Sequence, residues 1–360
     1  MDQEERITRL EQAVFGQPLD GRTATIRASC FEVTDEKGKV RIKLTADNEQ
    51  PSIGIFDPTG ELRGAFKVGG DGPALALMGS AGNVGVALML DRKGLPQFIL
   101  SDGSESPRVG IGIMPGGPVI NLYDDEGQAR LTLATAVDGS PGIMLSDNHG
   151  RTRAILSEEQ GKVNLHLQDS KGTPRVAVEV APDGTSKLIL TDAAGNRRVV
   201  FAVDEDAPEI RFHDAAGVHR LVIALNKHGQ PFLALVNAEA KARVLLTSDD
   251  ESSGLRLFDS HQQGRVLVTV NADEQPAVSV YDSGQSERLK ITLQADGSPT
   301  IGLFDSQCRK LVTLVGKPNG EGVVVYDAEG NARASLCVVE AGPSLIMLDQ
   351  AGKTVFVAPE

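Results

Sequence analysis

The chain has 360 residues, 24% of them charged, and a formal net charge of −13, which disfavours nucleic acid or an anionic membrane surface as a partner. No apolar run is long enough to cross a membrane, and aromatic residues make up only 4% of the chain, with no Trp. Three cysteines without close spacing indicate neither a disulfide framework nor a zinc site.

Residues 1–16 are predicted to form a short amphipathic helix. Ile7, Leu10 and Val14 have the a, d, a spacing of one apolar stripe. A helix this short needs its stripe buried, so we expect either a cap on the first repeat or a self-association segment. No apolar run follows Met1, and the absence of a secretory signal predicts a cytoplasmic protein, or one that joins a particle or surface by a non-classical route.

Residues 17–360 form a tandem-repeat domain in which fifteen copies of one motif recur every 22 or 23 residues. Most copies have an Asp, here numbered position 0, with Gly at +3 and Arg at +6. Gly79 and Asn237 replace the Asp in two copies. We predict structural turn residues at these positions, and four complete copies supply them as Asp57, Gly60, Arg63, Asp124, Gly127, Arg130, Asp147, Gly150, Arg153, Asp192, Gly195 and Arg198.

Apolar residues alternate on both sides of each turn. They occupy −4 and −2, as Ile120 and Leu122 do, and return at +7 and +9, as Leu131 and Leu133 do. This period of two is typical of half-buried strands, and the Asp and Gly between them are typical of a tight turn. We therefore predict an all-β chain with two strands per copy and a core formed by these aliphatic positions.

The parity of the pattern constrains the turn. A plain three-residue hairpin loop would pair −2 with +6 and place the aliphatic residues on the face of the Arg. A four-residue loop, or a broad arc between two stacked sheets, would keep −2 and +7 on one face. Both of these geometries preserve the predicted core.

The connectors between copies, such as residues 138–141, are too short for a helix. Neighbouring strands should therefore be antiparallel, or belong to different sheets of a solenoid coil. From Leu88 to Val278 the last aliphatic residue of one copy and the first of the next are alternately ten and nine residues apart, which defines a superunit of 45 residues. We predict an elongated solenoid-like stack; the alternatives are a propeller of four-stranded blades of that length and an intertwined trimeric β fibre.

The chain offers few candidates for chemistry. The recurring Asp supplies one carboxylate per turn without the dense spacing of a calcium loop, which predicts a backbone cap. His213 and His219 flank one turn, but the sequence suggests no third metal ligand. No Ser, His and Asp set has the context of a nucleophile. We predict no catalytic residue, no cofactor and no metal, and do not expect an enzyme.

Tyr precedes the turn Asp in three copies, at Tyr123, Tyr281 and Tyr326. These turns resemble the tyrosine-aspartate (YD, or Rhs) repeats of bacterial surface and toxin-delivery proteins, and the resemblance implies a spiralling β shell around a cargo. The alternation of apolar strands with Asp/Gly turns is also similar to the shafts of trimeric viral and phage fibres.

These patterns predict a noncatalytic structural or adhesive repeat protein that acts as a fibre, spacer or scaffold. We expect a homo-oligomer, and a trimer if the protein is fibre-like. The alternative is a lectin-type or propeller-type module whose loops bind a glycan or a protein. Exposed aromatic residues at matching loop positions would favour that alternative, because sugars stack on them.

Overall fold

The computed structural model describes residues 4–5, 28–46, 50–104, 106–204, 207–317, 320 and 322–359. In these residues the chain is all-β, as predicted, with two strands in each copy. The predicted helix over residues 1–16 lies outside them apart from Glu4 and Glu5, which are helical. Ile7, Leu10 and Val14 are not among the described residues, so their role stays a prediction.

The chain divides into two compact units, Met1–Gln160 and Gly161–Glu360. The strands of the first unit are β1 (Cys30–Thr34), β2 (Val40–Thr45), β3 (Ser52–Phe56), β4 (Leu62–Gly69), β5 (Gly72–Met78), β6 (Val84–Leu90), β7 (Pro96–Ser101), β8 (Pro107–Met114), β9 (Gly117–Tyr123), β10 (Ala129–Thr135), β11 (Pro141–Ser146) and β12 (Thr152–Glu159).

The strands of the second unit are β13 (Lys162–Gln168), β14 (Pro174–Val180), β15 (Ser186–Thr191), β16 (Arg197–Asp204), β17 (Ala207–His213), β18 (His219–Leu225), β19 (Pro231–Val236), β20 (Ala242–Ser248), β21 (Ser253–Phe258), β22 (Gly264–Val270), β23 (Pro276–Tyr281), β24 (Glu287–Leu293), β25 (Pro299–Phe304), β26 (Lys310–Val315), β27 (Val323–Tyr326), β28 (Ala332–Val339), β29 (Gly342–Leu348) and β30 (Thr354–Ala358).

Within each unit, every strand pairs antiparallel with the strand that follows it, from β1 to β12 and from β13 to β30. The pairing continues across the ends of the 45-residue superunits, as between β16 and β17. A propeller would break the sheet after every fourth strand, because each blade is a sheet of its own. The continuous pairing instead fits the predicted solenoid-like stack.

The turn inside each copy combines a three-residue loop with a β-bulge. In the β9–β10 hairpin the Asp124 N–H donates to the Gln128 carbonyl, which closes the loop. Tyr123 then pairs with Ala129, but Leu122 pairs with Leu131, so the residue between them, at +6, is bulged out. The predicted four-residue loop and the broad arc are both wrong. The bulge shifts the register by one residue and keeps −2 opposite +7 on one face.

Two loop lengths between copies produce the 45-residue superunit. Leu88 pairs with Phe98 across a connector whose Asp91 N–H donates to the Leu95 carbonyl, which leaves three loop residues. The next connector joins β8 to β9 through residues 115–116, which are only two loop residues. Each loop keeps the +9 residue opposite the following −4 residue. The alternation of ten and nine residues therefore reflects turn type and does not define propeller blades.

The two faces of the sheet differ in composition. Positions −4, −2, +7 and +9 form what we call the aliphatic face, and positions −3, −1, +6, +8 and +10 form what we call the clamp face. In the copy of Asp192 the first set is apolar throughout, and the second set contains Arg198 together with Ile189, Val200 and Ala202.

The predicted core positions are on one face, but they are not buried. Ile120 and Leu122 are 38% and 41% exposed, and other aliphatic-face residues are similar. The buried apolar residues lie instead on the clamp face, where Ala177, Ile189 and Val200 cluster. There, small side chains such as Ala177 cluster with the larger Ile189 and Val200, which cover them. The aliphatic face has large side chains in almost every position, and strand pairing covers only their flanks.

Candidate functional site: the turn clamp and the aliphatic face

Each turn Asp caps the backbone of its own loop. In the copy of Asp124, the carboxylate Oδ1 accepts hydrogen bonds from the N–H groups of Glu126 and Gln128 at 3.1 and 2.8 Å. The Asp124 carbonyl accepts the Gly127 N–H at 3.1 Å, and Gly127 has a φ of 77° that favours glycine. The same pattern occurs in the other predicted turns, at Asp57, Asp147 and Asp192.

The bulged Arg connects its turn to the next copy. Arg130 donates through Nη1 to Asp124 Oδ2 at 3.4 Å and through Nε to the Ser146 carbonyl at 2.9 Å. Arg198 makes the same two bonds, to Asp192 Oδ2 at 3.4 Å and to the His213 carbonyl at 3.0 Å. We call this arrangement the turn clamp. It recurs through Arg175, Arg220, Arg265 and Arg288. Arg63 and Arg333 form a variant, in which Nε donates to the Asp of the same turn and Nη1 donates to the carbonyl at position 0 of the next copy.

One predicted clamp is altered. Arg151, at +4, donates through Nε to Asp147 Oδ2 at 2.9 Å, and Arg153 Nη1 lies 3.8 Å from the same oxygen. Gly150 keeps the left-handed conformation, with a φ of 73°. Arg309 likewise reaches Asp305 from +4. The sequence signal for this variant is an Arg at +4, which is not part of the motif of Asp at 0, Gly at +3 and Arg at +6.

Hydrogen bonds lower the pKa values of several turn carboxylates. The hydroxyl and backbone N–H of Ser104, with the Arg108 guanidinium, lower the pKa of Asp102 to about 2. At Asp147, partial desolvation opposes the shift, but the backbone N–H groups of His149 and Arg151 lower the pKa to about 2. These two carboxylates are therefore structural anions at neutral pH, each tied to its own loop.

Several turns lack Gly at +3 yet keep its conformation. Ala240, Gln262, Gln285 and Cys308 have φ values of 59°, 64°, 63° and 60°. A side chain in this region is strained. Gln262 and Gln285 also donate from their side-chain amides to the carbonyls of residues 242 and 264 in the same sheet.

The two histidines singled out from the sequence face each other across one hairpin. His213 pairs with His219, and their ring centroids are 6.5 Å apart in an edge-on arrangement. Burial and the neighbouring His219 lower the pKa of His213. In the described part of the chain, no group of three or more His, Cys, Asp or Glu residues is placed to hold a metal ion.

Aromatic residues at −1 cover glycines on the clamp face, a role that sequence reasoning missed. A Cβ added at Gly110 would lie 3.2 Å from the Tyr123 ring. A Cβ at Gly302 would lie 2.7 Å from Phe304, which is at −1 in its own copy. These rings pack on bare backbone, so the Tyr123 ring stabilises the sheet at the position where sugar stacking had been considered.

The aliphatic face has shallow concavities along the edge where the connectors lie. One, of about 580 Å³, is bordered by Val178, Leu188, Phe201, Ile210 and Ile223. Another, of about 510 Å³, is bordered in part by Leu246, Leu255, Val268, Val278 and Ile291. Both concavities lie within the second unit.

Comparison with known proteins gives little support for a specific family. No family model and no curated protein matches the chain. Among solved structures, the chain is similar to the one described as "Crystal Structure of TcdB2-TccC3", with 9% sequence identity and a TM-score of 0.15. That alignment covers 91% of this chain but only 18% of the other. A score this low supports no inference about the family or the function.

Over the residues with an assigned structure, none of the helices combines the length and apolarity that a transmembrane segment requires.

Proposed function

We propose that this chain is a noncatalytic structural repeat protein that acts as a fibre, spacer or scaffold. The observation that supports the proposal is the turn clamp. Arg130 binds both the carboxylate of its own turn and a carbonyl of the following copy, and Arg198 repeats this in the second unit. Recurring joints of one kind between successive copies suit a protein whose dimensions are set by the number of copies.

The clamps have a mechanical consequence. The carbonyl that accepts the Arg Nε lies at −1 of the next copy, so the Arg spans the intervening connector hairpin. Charge-assisted hydrogen bonds of this kind are about twice as strong as neutral ones. The clamp thereby adds to the backbone ladder at each joint and resists separation of adjacent copies. Such reinforcement is expected for a spacer or scaffold.

The proposal is tested by shortening the second unit by one superunit. Deletion of residues 193–237 joins Asp192 to Ala238 and removes β16 to β19, which leaves β15 to pair with β20 in the native register. Fluorophores are attached at residues 171 and 262, which lie in two turns on the same edge of the sheet. Because neighbouring strands are about 4.8 Å apart, we expect the distance between the labels to decrease by about 19 Å.

A second label pair, at residues 262 and 307, provides the control, because no strand between them is removed. Its distance should be unchanged. If the first distance does not decrease, copy number does not set the dimension and the spacer role is wrong. Saturable binding to a glycan array that is abolished by substitutions in connector loops would replace the structural role with the binding role.

A further inference from the structure

The aliphatic face is an apolar surface that the second unit leaves open. At position +9 of successive copies, Ile223, Leu246, Val268 and Ile291 are 41%, 48%, 40% and 41% exposed. No charged residue occupies −4, −2, +7 or +9 in any copy. Soluble monomers rarely expose a continuous apolar patch larger than a few hundred Å². This face therefore has the composition of a contact surface.

The clamp face of the same strands has charged residues, which the aliphatic face lacks. It has Arg–Asp pairs along its turn edge, as at Arg265 and Asp259, where Nη1 and Oδ2 are 3.2 Å apart. It also has charged residues in mid-strand, such as Arg256 and Lys290. Covering that face would desolvate these charges. Covering the aliphatic face removes only apolar side chains from water.

The exposed area is large enough for a stable interface. The +9 side chains of the second unit are about 40% exposed and present on the order of 50 Å² each, while the half-buried side chains at −4, −2 and +7 present about 30 Å² each, so six copies present about 800 Å². This is the area that each partner contributes to a standard protein interface. The second unit has more copies than the six required.

We propose that the aliphatic face packs against the aliphatic face of a second copy of this chain. The face lacks charges that would select a partner of different chemistry, and its regular feature is its own repeat. A second copy carries the same rows of side chains at the same spacing, so side chains can interdigitate in every copy along the interface. Two antiparallel sheets pack in this way about 10 Å apart. The inference rests on the proposed structural function, because it specifies how such a protein associates.

Two adjacent residues of β22 provide a matched test. Val268 is on the aliphatic face and Leu267 is on the clamp face, where it is half-buried. Sedimentation velocity of the full chain should detect an oligomer at micromolar concentration. Val268→Lys should raise the dissociation constant at least tenfold, because it places a charge in the interface. Leu267→Lys should leave that constant within about twofold of the unsubstituted chain.

Circular dichroism and thermal unfolding establish that both variants fold. If Val268→Lys does not fold, Val268→Thr replaces it, since Thr is close in shape and favours strands. The threonine variant should still weaken association measurably. The proposal is overturned if the unsubstituted chain is monomeric, or if the two faces respond equally to substitution. A monomer that binds phosphatidylcholine vesicles through Val268 would also overturn it and would make lipid the occupant.

The full-chain variant Ile7→Asp/Leu10→Asp tests whether association occurs through the aliphatic face or through the N-terminal segment. We expect it to remain an oligomer. If it dissociates while Val268→Lys does not, association occurs through residues 1–16 and the face has no such role. The label-distance experiment is independent of both results, since it reports on copy number within one chain. Failure of the interface and failure of the spacer role are therefore distinguishable.

Discussion

At the scale of single residues, each turn has two requirements, one at +3 and one at position 0, and each is met by more than one residue type. The +3 position needs a left-handed backbone, which Gly127 adopts without strain and Cys308 adopts with strain. The 0 position needs an acceptor for two backbone N–H groups. Asp supplies it in most copies, and Asn237 supplies it through Oδ1 at 3.0 Å to both Glu239 and Lys241. Capping the loop therefore does not need the negative charge of the Asp. That charge serves separately to bind the Arg at +6.

Glycine substitution at strained +3 positions should stabilise the protein. For Cys308→Gly and Ala240→Gly we expect a gain of about 0.5–1 kcal/mol in the free energy of unfolding, because relief of left-handed strain exceeds the added entropy of the unfolded chain. Gln262→Gly should gain less, since it also loses the bond from its side chain to the Ala242 carbonyl. Chemical denaturation measures all three. An equal gain at residues 262 and 240 would show that this side-chain bond contributes nothing.

Stability should fall in acid over a window set by the turn carboxylates. The pKa of Asp102 and of Asp147 is about 2 in the folded chain, below the value of about 3.9 in an unfolded chain. A lowered folded pKa means that the stabilisation is fully present above pH 4 and is lost as the pH falls towards 2. Thermal unfolding from pH 7 to pH 2 should therefore show a decline below about pH 4, in addition to the loss that begins below about pH 6.5 because the pKa of His213 is lowered in the folded chain.

The control for this acid effect is Asp102→Asn. Asn accepts the same backbone bonds in the native copy of Asn237, but it does not titrate. The variant should lose part of the acid dependence while it keeps the fold at pH 7. An acid profile identical to that of the unsubstituted chain would mean that Asp102 does not contribute to the window.

At the scale of the hairpin, the bulge performs two tasks. It corrects the parity of the pairing, so that Leu122 faces Leu131, and it directs Arg130 towards both Asp124 and the Ser146 carbonyl. Parity alone does not require a bulge, because a regular hairpin with one residue fewer would pair the same side chains. The clamp requires it. We infer that the extra residue is present for the Arg.

Single-residue deletions distinguish these tasks. Deleting Arg130 leaves Tyr123 opposite Ala129 and Leu122 opposite Leu131 in a regular ladder, so only the clamp is lost. We expect the variant to fold with a stability close to that of Arg130→Ala. Deleting Thr132 instead moves Leu133 to the clamp face and should be much more destabilising.

Urea denaturation of the three variants compares the effects. Arg130→Ala provides the reference, because it removes the same clamp and keeps the bulge. If the deletion of Arg130 is as damaging as the deletion of Thr132, the bulge is needed for pairing itself and not only for the clamp.

At the scale of the whole molecule, each unit is a run of hairpins that contact their neighbours in chain order. Stability in such a protein is close to a sum of copies and of interfaces between copies. Removal of a whole 45-residue superunit leaves the order of the two loop types unchanged in the rest of the chain. Removal of a single copy places two connectors of one type in succession, as the native chain already has after β22 and after β24, where Asn271 and Gln294 each close a three-residue loop.

Deletion of residues 193–237 should therefore leave a folded protein. We expect a single cooperative thermal transition at a somewhat lower temperature than that of the unsubstituted chain, because four strands and their interfaces are lost. The comparison is deletion of the single copy 193–214, which removes only two strands and should lower the transition temperature by a smaller amount. Differential scanning calorimetry checks both. Loss of the transition in the first variant would contradict additivity between copies.

The sequence by itself determined the repeat, the two strands per copy, the tight turns and the common face of the aliphatic positions. These features are local, because alternation and turn residues act within a few residues of each other. Asp124 and Gly127 were therefore predicted as turn residues without a structure, and positions −2 and +7 were predicted to share one face.

Tertiary structure alone decided which face is buried, how parity is restored and what the Arg binds. Leu122 was predicted to lie in a core, but burial depends on what packs over a face, and no local pattern reports that. The carbonyl that Arg130 binds is sixteen residues away, at Ser146, and it comes within reach only when the connector hairpin has formed. The bulge at +6 leaves the same parity as a longer loop, so only three-dimensional pairing separates the two.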